Sequence, residues 1–133
     1  DWPTGEWDAS LDPAKYAAAE QHFERALSND PDQITPLYRL GLISLYKRDF
    51  TSAVGYLEEA QSTDPDHPGV RKSLGFAYVW LANFDEALPL LETSDGVDNE
   101  LAGYISWWGQ QGRPDLAEYA GQMLGLVNPA GAR

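Results

Sequence analysis

Apolar residues between Leu37 and Ala60 recur every three to four positions, and they fall into two runs. The first is Leu37, Leu40, Gly41 and Ser44; the second is Phe50, Ala53, Leu57 and Ala60. The polar triplet Lys47-Arg48-Asp49 separates them. This is the 3.6-residue period of two amphipathic helices, neither of which can bury its apolar face alone. The second run closes on Ser62-Thr63-Asp64-Pro65-Asp66, and Ser28-Asn29-Asp30-Pro31-Asp32 stands thirty-four residues earlier. At the same offset Leu40-Gly41 returns as Leu74-Gly75, and Ala53 as Ala87. A fixed period of this length belongs to helix pairs that stack on their neighbours and share one continuous core.

The punctuation sets the elements. Asp12 before Pro13 is a helix start, an N-cap acceptor followed by a proline whose missing N–H costs nothing there. That helix runs to about Leu27 and forms a half repeat over residues 12–33. A full repeat occupies 34–67, with its first helix starting near Thr35-Pro36. A shortened repeat follows over 68–97: one helix from Pro68 to about Ala82, a turn at Asn83, and a second from Asp85 to about Thr93. Pro89 lies inside that second helix and removes one backbone bond. Asp95-Gly96 ends it early, and the spacing from Pro65 to Pro129 is sixty-four residues where two periods need sixty-eight. About one helical turn is missing. The divergent last repeat spans 98–129, with helices over Asn99–Gln111 and Pro114–Val127. Residues 1–11 carry Trp2, Pro3, Gly5 and Trp7 without helical period, as expected of a segment that covers an array end. Residues 130–133 read as a tail.

Leu40-Gly41, Ala53-x3-Leu57 and Pro65, with Leu74-Gly75, Ala87 and Ala19-x3-Phe23, resemble the tetratricopeptide repeat pattern W-x2-L-G-x2-Y, A-x3-F, P. The resemblance implies an all-α fold: an antiparallel helix-pair solenoid, a superhelix of roughly three and a half repeats. It also implies a non-enzymatic scaffold for protein–protein interaction, whose first helices line a concave groove. The positions that match that family's usual ligand contacts are Tyr38, Leu42, Leu45 and Tyr46 in the full repeat. In the shortened repeat they are Lys72, Phe76, Val79 and Trp80. All eight are expected to form a partner-binding face, with Arg39 nearby. In the divergent repeat the same stripe turns small and polar, as Ala102, Ser106, Gly109 and Gln110. A groove of that character suits an apolar extended peptide or an amphipathic helix. Paired bases for a terminal carboxylate are lacking, since only Lys72 remains at the matching positions. Arg71 stands where the family prefers an apolar residue, which predicts looser packing. Gly41 and Gly75 are expected where the two helices of a pair approach closely. Leu116, Met123 and Leu124 on the final helix are expected to be partly uncovered, and self-association through this end or through the groove is expected, at least weakly.

Composition narrows the partner. The net charge of −12 and isoelectric point near 4.3 oppose a nucleic-acid or anionic-membrane surface. There is no cysteine, so disulfides and thiolate chemistry are excluded. The longest apolar stretch, Ser73–Phe84, is too short for direct membrane insertion. The chain opens at Asp1, which points to a removed targeting or anchoring segment or to a domain cut from a longer protein. His22 and His67 sit on different segments without a metal-ligand partner, and His67 reads as a solvated turn residue. Glu58-Glu59 and Asp85-Glu86 are adjacent in sequence and so diverge on a helix. No phosphate loop or nucleophile–base signature occurs, so no catalytic residue, cofactor or metal is expected. Two alternatives stay open. One is a structural or oligomerisation domain of a larger protein, which a membrane anchor could hold, with the groove filled by the tryptophan segment or by a second copy. The other is a surface that stacks sugars on the aromatics.

Overall fold

The array runs as seven helices among residues 13–129, the part of the chain that the computed structural model describes. They are α1 (Pro13–Asn29), α2 (Ile34–Tyr46), α3 (Phe50–Thr63), α4 (Pro68–Trp80), α5 (Phe84–Leu91), α6 (Val97–Gln110) and α7 (Pro114–Val127). No strand occurs among the described residues. The tryptophan segment 1–11 and the tail 130–133 lie outside them. Consecutive helices pack as antiparallel pairs, α2 on α3, α4 on α5 and α6 on α7, while α3 packs on α4 and so joins one pair to the next.

Side-chain caps start α3 and α4. The Asp49 side chain accepts the Ser52 N–H at 3.2 Å and caps α3. His67 does the same for α4, its Nδ1 accepting the Val70 N–H at 3.1 Å with Pro68 just inside the helix. The expected solvated turn residue is therefore a half-buried cap, and its ring lies 5.1 Å from that of Tyr38.

The first helix of each pair ends in one repeated motif. Arg48, Ala82 and Gly112 take left-handed backbone angles, with φ of 61°, 60° and 74°. After each, the next N–H reaches back five residues: Asp49 to Ser44 at 2.9 Å, Asn83 to Tyr78 at 2.8 Å and Arg113 to Trp108 at 2.9 Å. The left-handed residues themselves bond to Leu45, Val79 and Gly109. These are Schellman caps, which satisfy the last carbonyls and reverse the chain. Only one of the three uses glycine.

The two helices of a pair meet at a glycine. A Cβ built on Gly41 would stand 2.6 Å from Leu57 Cγ, and one on Gly75 would stand 2.6 Å from Leu91 Cδ2. Both leucines are buried, so neither can move aside without opening the core.

The shortening lies in α5, which has 8 residues where α3 has 14. Arg71 finishes the truncated end: its guanidinium donates to the carbonyls of Pro65 and Pro89 and to Thr93 Oγ1, at 3.4, 3.5 and 3.1 Å. A cation at a helix C-terminus also meets the negative end of the helix dipole. Arg71 thus holds this junction, where looser packing was expected. With α5 short, α7 packs on both α4 and α5. Leu116 and Met123, expected to be partly uncovered, are buried at 1% and 0% exposure, and Leu124 is half-buried. The missing turn brings the last pair inward over them.

Candidate functional site

The inner face is built by α2, α4 and α6. Phe76 and Trp80 stack along α4 with ring centroids 6.0 Å apart. From α6, Tyr104 meets Phe76 at 5.1 Å and Trp80 at 4.8 Å, and Trp108 meets Trp80 at 5.3 Å. Trp108 reaches across to Phe50 at the start of α3, edge to face at 6.4 Å. Edge-to-face and offset contacts at these separations are the favoured arrangements of aromatic pairs. The result is one aromatic wall running through three helix pairs.

The residues expected to line a groove lie as follows. Leu42, Leu45, Phe76, Val79 and Trp80 are buried, none more than 9% exposed. Of these, Phe76 and Trp80 lie against Tyr104 and Trp108 of α6. Lys72 is also engaged, its Nζ donating to Glu100 Oε1 at 2.6 Å, which ties α4 to α6. Tyr38 and Tyr46 remain half-buried, and so does Arg39, whose guanidinium lies over the Tyr38 ring at 5.9 Å. The indole Nε1 of Trp80 is buried without an acceptor among the described residues, a desolvation cost that the surrounding ring contacts must outweigh.

Sequence reasoning passed over Tyr104, Trp107 and Trp108. Leu101, Tyr104 and Trp108 stand at i, i+3 and i+7, the core period, and all three are buried. The small stripe of Ala102, Ser106, Gly109 and Gln110 is exposed on another side of α6.

Arg48, just after α2, packs on the α6 end of this wall. Its guanidinium lies 5.1 Å from the Trp108 ring centroid and 5.9 Å from that of Trp107, and donates to Gln111 Oε1 at 3.0 Å. Burial, and then the nearby Arg113, push its pKa below the usual arginine value. On the opposite side of α4, the Tyr78 hydroxyl donates to Glu58 Oε1 at 2.6 Å. Burial first, and that hydrogen bond second, raise the phenol above its ordinary pKa.

A polar cleft of about 480 Å³ lies where the start of α4 meets the α5–α6 turn. Asp66, Gly69, Arg71, Lys72, Thr93 and Asp95 line it, and both of its cations already have partners within the fold. Among the described residues no group of three or more His, Cys, Asp and Glu side chains could hold a metal ion. No helix among them is long and apolar enough to cross a membrane.

Residues 44–100, from the end of α2 into α6, match the family model of the tetratricopeptide repeat. Over this stretch the chain is similar to a tetratricopeptide repeat. The match covers the α3, α4 and α5 helices and somewhat under half of the chain. No curated protein matches it. Tetratricopeptide repeats generally act as protein–protein interaction modules and are typically non-enzymatic scaffolds. The all-α helical-repeat fold accords with that assignment.

Proposed function

We propose that the chain is a non-enzymatic interaction module that takes an apolar peptide or an amphipathic helix along the rim of its inner face. The observation that carries this reading is the contrast within the eight expected contacts. Five are buried in the core, while Tyr38 and Tyr46 are half-buried on α2, as is Arg39. A wall fixed by aromatic packing presents its rim without further ordering, which lowers the entropic cost of binding. Tyrosine and arginine are the side chains in which interface energy concentrates. An α2 helix without a single Asp or Glu, inside a chain of net charge −12, favours a ligand that is apolar with acidic flanks.

The test is selection from a peptide library displaying amphipathic helices and extended apolar segments, followed by calorimetry on the full chain. The reading expects a ligand whose affinity falls at least about tenfold, some 1.4 kcal/mol, in Tyr38→Ala. Selected peptides that bind Tyr38→Ala as well as the native chain would move the site elsewhere. A chain that selects nothing and sediments as a stable dimer would instead favour a structural or oligomerisation domain.

A further inference from the structure

We infer that Arg48 and Arg113 form a receptor for a carboxylate on the partner, an acidic residue whose apolar neighbour lies on the Trp107 indole. The inference rests on the interaction-module reading, though not on the Tyr38 contact. Two turns bring these residues together. The left-handed cap that ends α2 sets Arg48, and the one that ends α6 sets Gln111 and Arg113. The Arg48 guanidinium donates to Gln111 Oε1 at 3.0 Å and so joins the two turns across 63 residues of chain.

Arg48 lacks a counter-charge among the described residues, and its neighbours do not. Lys47 meets Glu20 at 3.0 Å, and Arg113 holds Asp115 through two N–H bonds of 3.2 and 3.1 Å. Asp49, the next residue along, is committed to the Ser52 N–H. A guanidinium carries several N–H donors in one plane. Among the described residues only one of those on Arg48 finds a protein acceptor, the Gln111 amide oxygen. The others are not sealed from solvent. Burial, and then Arg113, push the Arg48 pKa down, and no carboxylate offsets them. A bound carboxylate would offset both and accept the spare donors in the fork geometry that a guanidinium favours.

The cation is also held in place. Its cap fixes the Arg48 backbone at φ 61°, and the guanidinium lies over Trp108 and Trp107 at 5.1 and 5.9 Å. A side chain already positioned loses less freedom on binding than a swinging one. Trp107 is half-buried and so offers ring area beside the charge. That pairing defines the ligand. A bare anion meets only the guanidinia, whereas an acidic residue next to an apolar one meets both surfaces. Elsewhere a chain of net charge −12 repels such a group, which confines it to this spot.

The probe is the blocked tripeptide acetyl-leucyl-leucyl-glutamyl amide, titrated into the isotope-enriched whole chain, with its glutaminyl twin as control. NMR follows the Arg48 Nε–H and the Trp107 indole N–H. Expected are saturable shifts at both with the glutamyl peptide and little change with the glutaminyl one. Arg48→Gly, in which glycine tolerates the left-handed backbone, should abolish them. Arg113→Gln removes no contact of the aromatic wall and should weaken binding about two- to fivefold, the range of a part-exposed charge pair. It decides the matter if Arg48→Gly does not fold. Equal shifts from the two peptides would overturn the proposal, as would Arg113→Gln binding at native strength. Inorganic phosphate moving the same signals as strongly would overturn it too, because the site would then take any free anion. Tyr38 is not part of the site, so the shifts should persist in Tyr38→Ala even if the rim reading fails. Their loss in that variant would move the contact to the rim and refute a separate carboxylate site.

Discussion

Replacing Trp108 with alanine asks whether α6 is part of the core or a loosely attached last repeat. The side chain is fully buried and touches Trp80, Tyr104, Trp107 and Phe50, with Arg48 over its face. Truncating a buried tryptophan costs about 3–5 kcal/mol. Losing the partly desolvated Arg48 stacking adds about 0.5–1 kcal/mol. The sum, about 4–6 kcal/mol, is a large part of the roughly 5–15 kcal/mol that holds a domain folded. For a chain of this length it corresponds to a fall in Tm of about 12–25 °C. Ile105→Ala, one turn away on the exposed side of α6 at 37% exposure, is the control and should shift Tm far less. Far-UV circular dichroism and tryptophan fluorescence should be followed together, because a stacked array can lose an end repeat before the rest. A Trp108→Ala variant that melts no earlier than Ile105→Ala would refute the continuous wall.

Four further outcomes can be checked by the same unfolding experiments. Gly41→Leu and Gly75→Leu should each lower stability by at least about 1–3 kcal/mol, since their Cβ atoms alone would collide with Leu57 and Leu91. Ala82→Gly should raise stability by about 0.5–1 kcal/mol by relieving a left-handed alanine. Arg48→Gly should lower it, because the same relief is outweighed by the lost contacts to Trp107, Trp108 and Gln111. Tyr78 has its folded pKa raised, so its contribution is complete below the unfolded value of about 10 and declines as pH rises through and above it. The native chain should therefore lose Tm more steeply above that pH than Tyr78→Phe does.

The repeat was legible because core packing imposes a period. Leu40-Gly41 and Leu74-Gly75 occupy equivalent helix crossings, and only a residue without a Cβ fits against Leu57 and Leu91. Helix starts were legible where proline marks them, at Pro13, Pro68 and Pro114. The caps that end α2 and α4 were not, because Arg48 and Ala82 adopt a backbone conformation that their residue types do not advertise. His67 was misread for a similar reason: a histidine cap has no sequence signature comparable to Ser or Asp. The burial of five of the expected contact residues was not legible. Transferring groove positions assumed an even rise from one repeat to the next, but the truncation of α5 draws the last pair inward. Trp80 and Phe76 then meet Tyr104 and Trp108 instead of a ligand. The pattern Leu101, Tyr104, Trp108 carried that information, but the adjacent stripe of small residues was taken as the inner side.

The measurement that bears most directly on the functional reading compares Tyr38→Ala with Trp80→Ala, each assayed for thermal unfolding and for affinity toward a peptide selected on the native chain. Tyr38 is half-buried on the rim and Trp80 is 3% exposed within the wall. Tyr38→Ala should weaken binding by at least about tenfold while lowering Tm much less than Trp80→Ala, which loses about 3–5 kcal/mol of stability. If Tyr38→Ala binds at full strength, or if Trp80→Ala keeps the native Tm and loses only binding, the division between rim and wall is contradicted.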